Sequence, residues 1–282
     1  MAINRNWDIV ITPRKNLFDI DLRSIWNYKN LIAIFVKRDF VAYYKQTILG
    51  PLWYVINPLV TTLVFTVIFG RVAKIPTDGT PPFIFYMAGT VCWNYFSLCL
   101  KNTSNIFVKN ANLFGKVFFP RLTVPISVIL ISLLQFAIQM GIFSGFLMYF
   151  IIKGSSVSPN SSILFLPLLI LLIGLQAFGM GILMSALTAK YRDLTYAMDF
   201  GIQLWMYATP IVYPLSVVPD NLKILFWFNP MTIVIESFRF MFLGQGTIEI
   251  NGIIISILIT LSFLLLGILM FFKIERTFMD TV

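Results

Sequence analysis

The stretch from Arg38 to Gly70, RDFVAYYKQTILGPLWYVINPLVTTLVFTVIFG, decides the fold class. Its first eight residues hold Arg38, Asp39, Lys45 and two tyrosines, and from Gln46 to Gly70 there is no charge at all. A charge at the bilayer centre costs about 2.5–3.5 kcal/mol on insertion scales, and crossing the hydrocarbon takes about 20 helical residues. The uncharged run is therefore predicted to be a transmembrane helix. Upstream, from Ser24 as the N-cap, Tyr28, Ile32, Phe35, Val36, Phe40 and Tyr43 recur at helical spacing, with Lys29, Lys37 and Lys45 on another face. Such a segment is too charged to cross and too apolar to float free. It should lie in the cytoplasmic interface, with Gly50-Pro51 as the corner into the first span.

The rest of the chain repeats the pattern. Of 282 residues 58% are hydrophobic and only 12% charged, with a strongly positive mean hydropathy, which places the chain among membrane proteins. Uncharged runs fill residues 46–70, 79–100, 122–152, 154–189, 200–219 and 250–272, predicting six spans. No secretory signal is visible, so the first span is expected to direct insertion. An even number of spans puts both termini on one side. Placing residues 1–50, 101–121, 190–197 and 273–282 inside gathers 16 of the Lys and Arg residues there and leaves 5 outside, so both termini are expected in the cytoplasm. The net charge of +9 then reflects topology and anionic lipid, and nucleic acid is not expected as a partner.

Two segments are more than connections. The loop 101–121, KNTSNIFVKNANLFGKVFFPR, alternates Asn and Lys with apolar residues; it predicts a short amphipathic helix broken at Gly115, with apolar residues shown to the cytoplasm for a partner protein to cover. Residues 208–243 contain Pro210, Pro214, Pro219 and Pro230 around an apolar piece, 224–235, that is too short to span. Two half-inserted helices meeting at a turn on the outer side fit this piece, with Glu236 and Arg239, three apart, partly neutralising each other.

What is missing narrows the function. Histidine is absent from the chain, which removes the commonest general base, and no paired carboxylates stand out among the twelve acids. Cys92 and Cys99 lie about 10 Å apart along one helix, too far to bridge, and read as buried thiols. No phosphate-binding G-x-x-x-x-G-K-[ST] occurs, so any ATP-driven activity needs a separate subunit. The spans lack the buried acids that ion-coupled carriers favour. The chain is expected not to be an enzyme.

At this point the residues carry a resemblance. The opening stretch, NLFGKVFFPRLTVPIS (112–127), AKYRDL (189–194), TPIVYPLSVVP (209–219) and NPMTIVIESFR (229–239) together resemble the permease subunit of ABC-2-type polysaccharide exporters, which export O-antigen, teichoic acid and related capsule polymers. The likeness runs in the same order from about residue 21 to 273. It implies an all-α protein of a bacterial inner membrane: an interfacial gate helix within 1–50, a six-helix domain over 51–273 and a cytoplasmic tail over 274–282. It also implies a homodimer bound to two copies of an ATPase, through which ATP and Mg2+ act, with no cofactor bound by this chain. The substrate would be a lipid-linked polysaccharide, as in O-antigen export and lipopolysaccharide biosynthesis.

By position, Asn105, Lys109, Asn110, Leu113, Phe114 and Lys116 match the segment that couples to the ATPase, and 210–218 and 224–242 match two short re-entrant helices, with Pro210, Pro214, Pro230, Glu236 and Arg239 structural there. Arg38, Tyr43, Lys190 and Arg192 are expected at the entrance for the lipid diphosphate, arginine being the best phosphate partner; a pairing such as Arg38 with Asp193 is the plainer alternative. Trp53, Tyr54, Trp93, Tyr95, Trp205, Tyr207 and Tyr213 are expected to stack sugar rings along the conduit, or else to form interfacial belts. An ABC-2 permease for a small lipid or drug, and a channel or carrier working without an ATPase, are the alternatives.

Overall fold

The computed structural model describes residues 22–45, 48–117 and 119–281, with side chains described for 25–42, 45, 48–117 and 119–275. The expected lead-in over 1–21 lies outside them. All regular structure among the described residues is helical. Five helical stretches are long and apolar enough to cross a membrane: Gly50–Val72, Pro82–Ser104, Thr123–Ile152, Ser161–Lys190 and Ile250–Glu275. Each overlaps one of the uncharged runs.

The amphipathic segment is two pieces, α1 (Leu22–Asn27) and α2 (Lys29–Lys45), and Ser24 lies inside α1 rather than capping it. After α2 comes the corner. Gly50 adopts φ 50°, the left-handed region open to glycine without strain, and opens a 3-10 turn, Gly50–Leu52, that leads into α3 (Trp53–Phe65). A π-helical stretch, Thr66–Val72, finishes this span. α4 (Pro82–Ser104) is the centre of the bundle, with most of its side chains buried. Around it stand α3, α7 (Thr123–Ile152), α8 (Leu166–Lys190), α9 (Leu194–Ala208) and α11 (Pro230–Leu243), while α12 (Ile250–Thr281) packs along α8.

Glycine sets the tightest contacts. A Cβ on Gly179 would come within 2.7 Å of Leu264 N on α12, one on Gly267 within 2.5 Å of Gly179 O, and one on Gly181 within 2.6 Å of Thr103 Cβ on α4. α8 thus approaches both neighbours at backbone distance, as small residues permit between membrane helices.

The run 200–219 differs from a simple span. As a helix it covers Leu194–Ala208, about 22 Å at 1.5 Å per residue, and then gives way to irregular chain at Thr209 and Pro210. Residues 210–218, expected to hold a short helix, contain only a 3-10 turn at Leu215–Val217. The helix pair lies later: α10 (Asp220–Trp227) and α11, joined through Phe228 and Asn229. Asn229 caps α11 by accepting from Met231 N at 3.1 Å. Pro230 occupies the first turn, where its missing N–H costs nothing. At this tip Gln176 Nε2, well inside α8, donates to Pro230 O at 3.3 Å, and Ser256 Oγ of α12 donates to the same oxygen at 3.2 Å. At the other end of α11, Ser158 N donates to Leu243 O at 3.2 Å and Asn160 N to Met241 O at 3.0 Å, both from the α7–α8 connection. α11 thus runs from this tip to the end of the bundle that carries the α7–α8 connection.

Buried charge holds this region together. Arg239 Nη1 donates to Pro210 O at 2.7 Å and to Glu236 Oε1 at 3.2 Å, Nη2 donates to Ile211 O at 2.7 Å, and the guanidinium lies 3.6 Å above the ring of Phe85. Glu236 also accepts from Thr247 N at 3.2 Å. Both side chains are almost wholly buried. The carbonyls that α9 would have satisfied by continuing are satisfied by an arginine instead, as buried backbone requires.

Candidate functional site

At the opposite end of the bundle, beside α2, a cavity of about 860 Å³ rises between α3, α4, α7 and α9. Helical periodicity makes its wall. On α4, Trp93, Asn94, Ser97, Leu98, Lys101 and Asn102 recur on one stripe and line it. Trp53, Tyr54, Asn57 and Thr61 enter from α3, Gln135 and Gln139 from α7, and Asp199 and Gln203 from α9. The lining is thus a ladder of amides interleaved with aromatic rings, charged at its α2 end by Arg38, Asp39, Lys101, Lys109 and Asp199.

Cross-links fix the walls. Asn94 Nδ2 donates to Gln139 Oε1 at 3.4 Å, and Lys101 Nζ donates to Asp199 Oδ2 at 2.9 Å, joining α4 to α9. This last pair is about half exposed and contributes no more than about 1 kcal/mol. Gln135, only 7% exposed, has no hydrogen-bond partner for its Oε1 among the described residues. A buried acceptor without a donor is a standing cost of about 1–3 kcal/mol, which a hydroxyl entering the cavity would relieve.

Of the expected entrance residues, Arg38 lines the cavity; its Nε donates to Asp39 Oδ1 at 2.7 Å, not to Asp193, and its guanidinium lies 4.9 Å from the ring of Phe35. Lys190 lies at the end of α8 with Nζ 5.2 Å from the ring of Tyr191, and neither it nor Arg192 lines the cavity. The side chain of Tyr43 lies outside the described residues. Among the aromatics, Trp53, Tyr54 and Trp93 face the cavity. Trp205 packs behind Trp93, ring centroids 6.1 Å apart. Tyr95 departs from expectation: on the far side of α4, it packs against Phe136 at 5.2 Å in the bundle core. Tyr207 is exposed, and Tyr213 meets Phe226 of α10 edge-on at 6.1 Å.

The loop 101–121 folds into two single-turn helices, α5 (Ile106–Lys109) and α6 (Ala111–Phe114), with the break at Asn110 as well as at Gly115. Ile106, Phe107, Phe114 and Phe119 turn inward. Phe107 and Phe114 join Phe35, Phe119, Ile182 and Phe271 in a small second core where α2, α7, α8 and α12 converge. Phe114 is therefore a core residue and not part of a docking surface. Leu113 is partly buried against the same core. Asn105 is also buried: it donates through Nδ2 to Lys101 O at 3.0 Å and accepts from Thr195 Oγ1 at 3.0 Å. Asn110 Nδ2 donates to Ile106 O at 3.1 Å. Beyond the end of α4, Val108, Lys109, Asn112, Gly115, Lys116 and Val117 are the exposed residues of the loop among those described.

The amides at Asn57, Asn94, Gln135, Gln139 and Gln203 were not singled out from the sequence. Their signal was present as uncharged polar residues inside apolar runs, but only the rotational phase of four helices shows that they share one space.

Sequence comparison places these features in a known group. The pattern of the family described as ABC-2 type transporter matches residues 30–243. The chain is 27% identical over 252 residues to an O-antigen export system permease protein RfbA of Klebsiella pneumoniae, covering 89% of this chain and 94% of the relative. It is 26% identical over 224 residues to an O-antigen export system permease protein RfbA of Myxococcus xanthus, covering 78% and 83% respectively. With the family pattern running from α2 to the end of α11, the chain belongs to the ABC-2 type transporter family.

Proposed function

We propose that this chain is the membrane permease of an ATP-driven exporter that carries a lipid-linked cell-surface polysaccharide, O-antigen-like, across a bacterial inner membrane. The observation that carries the reading is the composition of the cavity wall. A sugar chain presents hydroxyls along its edges and apolar ring faces between them. Amides exchange hydrogen bonds with the hydroxyls, and Trp53, Tyr54 and Trp93 offer flat surfaces on which a moving chain slides. The names of the relatives agree. In this reading the α2 end is cytoplasmic, and α9 with its irregular continuation is the sixth crossing. The α10–α11 hairpin is re-entrant from the outside. Two copies of the chain enclose the path.

The energy comes from a separate ATPase, two copies of which dock on the exposed side of the 101–121 loop. Lys116→Glu should leave the thermal midpoint of the purified permease unchanged and abolish co-purification with the ATPase. Phe114→Ala should instead lower stability by about 3 kcal/mol or more, because it empties part of the second core. Normal ATPase binding by Lys116→Glu would remove the loop from the coupling role.

The transport reading is tested by surface polymer in the native host. Loss of the chain should leave cells without surface polysaccharide and with polymer accumulated inside; normally decorated cells overturn the reading. Gln135→Leu sharpens the test. Replacing an unsatisfied buried acceptor with an apolar group of similar volume should leave stability equal or higher, while export falls several-fold.

A further inference from the structure

Every charge on the cavity wall stands at one level. Arg38, Asp39, Lys101, Lys109 and Asp199 all lie at the α2 end. Beyond them the wall is neutral. From Lys101 back to Pro82 the helix α4 holds no charged residue, α3 and α7 hold none, and α9 holds none after Asp199. Asn94, which donates to Gln139, precedes Lys101 by two turns, about 10 Å along the axis. At that depth amides, hydroxyls and rings make the surface. Glu236 and Arg239, the charges deep in the bundle among the described residues, are bonded to each other at 3.2 Å, almost wholly buried, and do not line the cavity. A second copy of the same sequence facing this wall brings the same neutral helices.

One group on this neutral stretch discriminates further. Gln135 Oε1 is buried and has no donor among the described residues. A sugar hydroxyl donates to it. An ionised carboxylate or phosphodiester offers only acceptor oxygens, so it leaves the amide oxygen unsatisfied and adds repulsion between lone pairs.

We infer that the path is built for an uncharged polysaccharide, one whose repeats carry hydroxyls but neither carboxylate nor phosphate. The inference deepens the transport reading and rests on it. Conduits that pass ions line the way with charged rings or with oriented carbonyls, and a charge taken from water without a partner is costly. A polymer with an anion in every repeat would leave the lysines of the α2 end behind and meet no cation on the stretch from Asn94 outward. That cost recurs with each repeat. A neutral chain instead exchanges one amide for the next, and every hydroxyl it withdraws from one level finds an equivalent partner at the following one. The wall thus favours neutral glycans over polyuronates and over chains linked through phosphodiesters.

The test has two arms. In the first, the full-length protein in phosphatidylcholine nanodiscs is titrated with an oligogalacturonate and with its fully methyl-esterified form, which match in length and sugar and differ in charge. Binding is followed by tryptophan fluorescence, because Trp53 and Trp93 line the cavity. The neutral ester should bind about ten-fold or more tightly than the free acid. Asn57→Lys, which sets a cation on an exposed position of α3 in the cavity, should shrink that preference about ten-fold or invert it. Gln139→Lys does the same from α7 and serves if the first variant folds poorly. Equal binding of the two probes, tighter binding of the acid, binding of neither, or a preference that ignores both lysine variants overturns the inference. In the second arm, the surface polymer that disappears from the native host when the chain is deleted is isolated and its repeat analysed for uronic acid and phosphate. A repeat free of both supports the inference; a charged repeat overturns it and leaves the transport reading standing. If no polymer disappears, the transport reading fails and the nanodisc preference alone decides whether the wall selects neutral chains.

Discussion

Arg239→Met should cost the protein about 3–5 kcal/mol of stability, the usual penalty for removing one partner of a buried ion pair, and leave little of it folded after extraction into detergent. The substitution keeps the volume but strands three acceptors at once: the carboxylate of Glu236 and the carbonyls of Pro210 and Ile211. In a low-dielectric bundle none of them has water to turn to. Arg239→Lys should recover part of the loss. A single ammonium cannot reach both carbonyls in the manner of a planar fork, and it gives up the flat contact over Phe85. The measurement is the unfolding midpoint of the purified protein followed by tryptophan fluorescence. A wild-type midpoint for Arg239→Met would show that the irregular chain after α9 is held by something else.

Gly179→Val is expected to separate α8 from α12 and destabilise the protein by about 3 kcal/mol or more, at or above the upper end for overpacking. The new Cβ would stand 2.7 Å from Leu264 N and 2.9 Å from Phe263 C, backbone atoms of a long helix with no rotamer to change. The bundle supplies its own control. Gly145, in α7, has open space where a Cβ would go, and Gly145→Ala should be neutral or slightly stabilising, since alanine is the better helix former by about 1 kcal/mol. Equal midpoints for Gly179→Val and Gly145→Ala would mean that the α8–α12 contact is not close-packed in the membrane.

These two sites mark what a one-dimensional reading reaches. Runs without charge located five long helices to within a few residues at most ends, because the cost of burying charge is a local property of the chain. The remaining run, 200–219, departs from one continuous helix where a distant partner takes part. Asp199, the charge just before that run, lies within α9 and is matched by Lys101 from α4. The helix ends just before Pro210, whose ring disfavours helix in the preceding residue, and Arg239 satisfies the carbonyls of Pro210 and Ile211 that follow. Spacing on α2 predicted faces but not what each face meets, and on α4 the run without charge predicted a span but not its sides. Trp93 and Tyr95, two residues apart, point to opposite sides, one to the cavity and one to the core. The inward turn of Phe114 was illegible for the same reason: an apolar residue in a loop reads as a docking surface until the second core beneath it is known.

The arginine that replaces the end of α9 also constrains how the chain is made. Pro210 leaves the ribosome before the residue that satisfies it, which follows 29 positions later. Until α11 has been synthesised, the carbonyls of Pro210 and Ile211, just past the end of α9, lack the donor that satisfies them. The structure of this segment is therefore not settled by its own residues alone. It is completed only when α11 packs beside it, which ties the fold of the chain after α9 to a residue on α11.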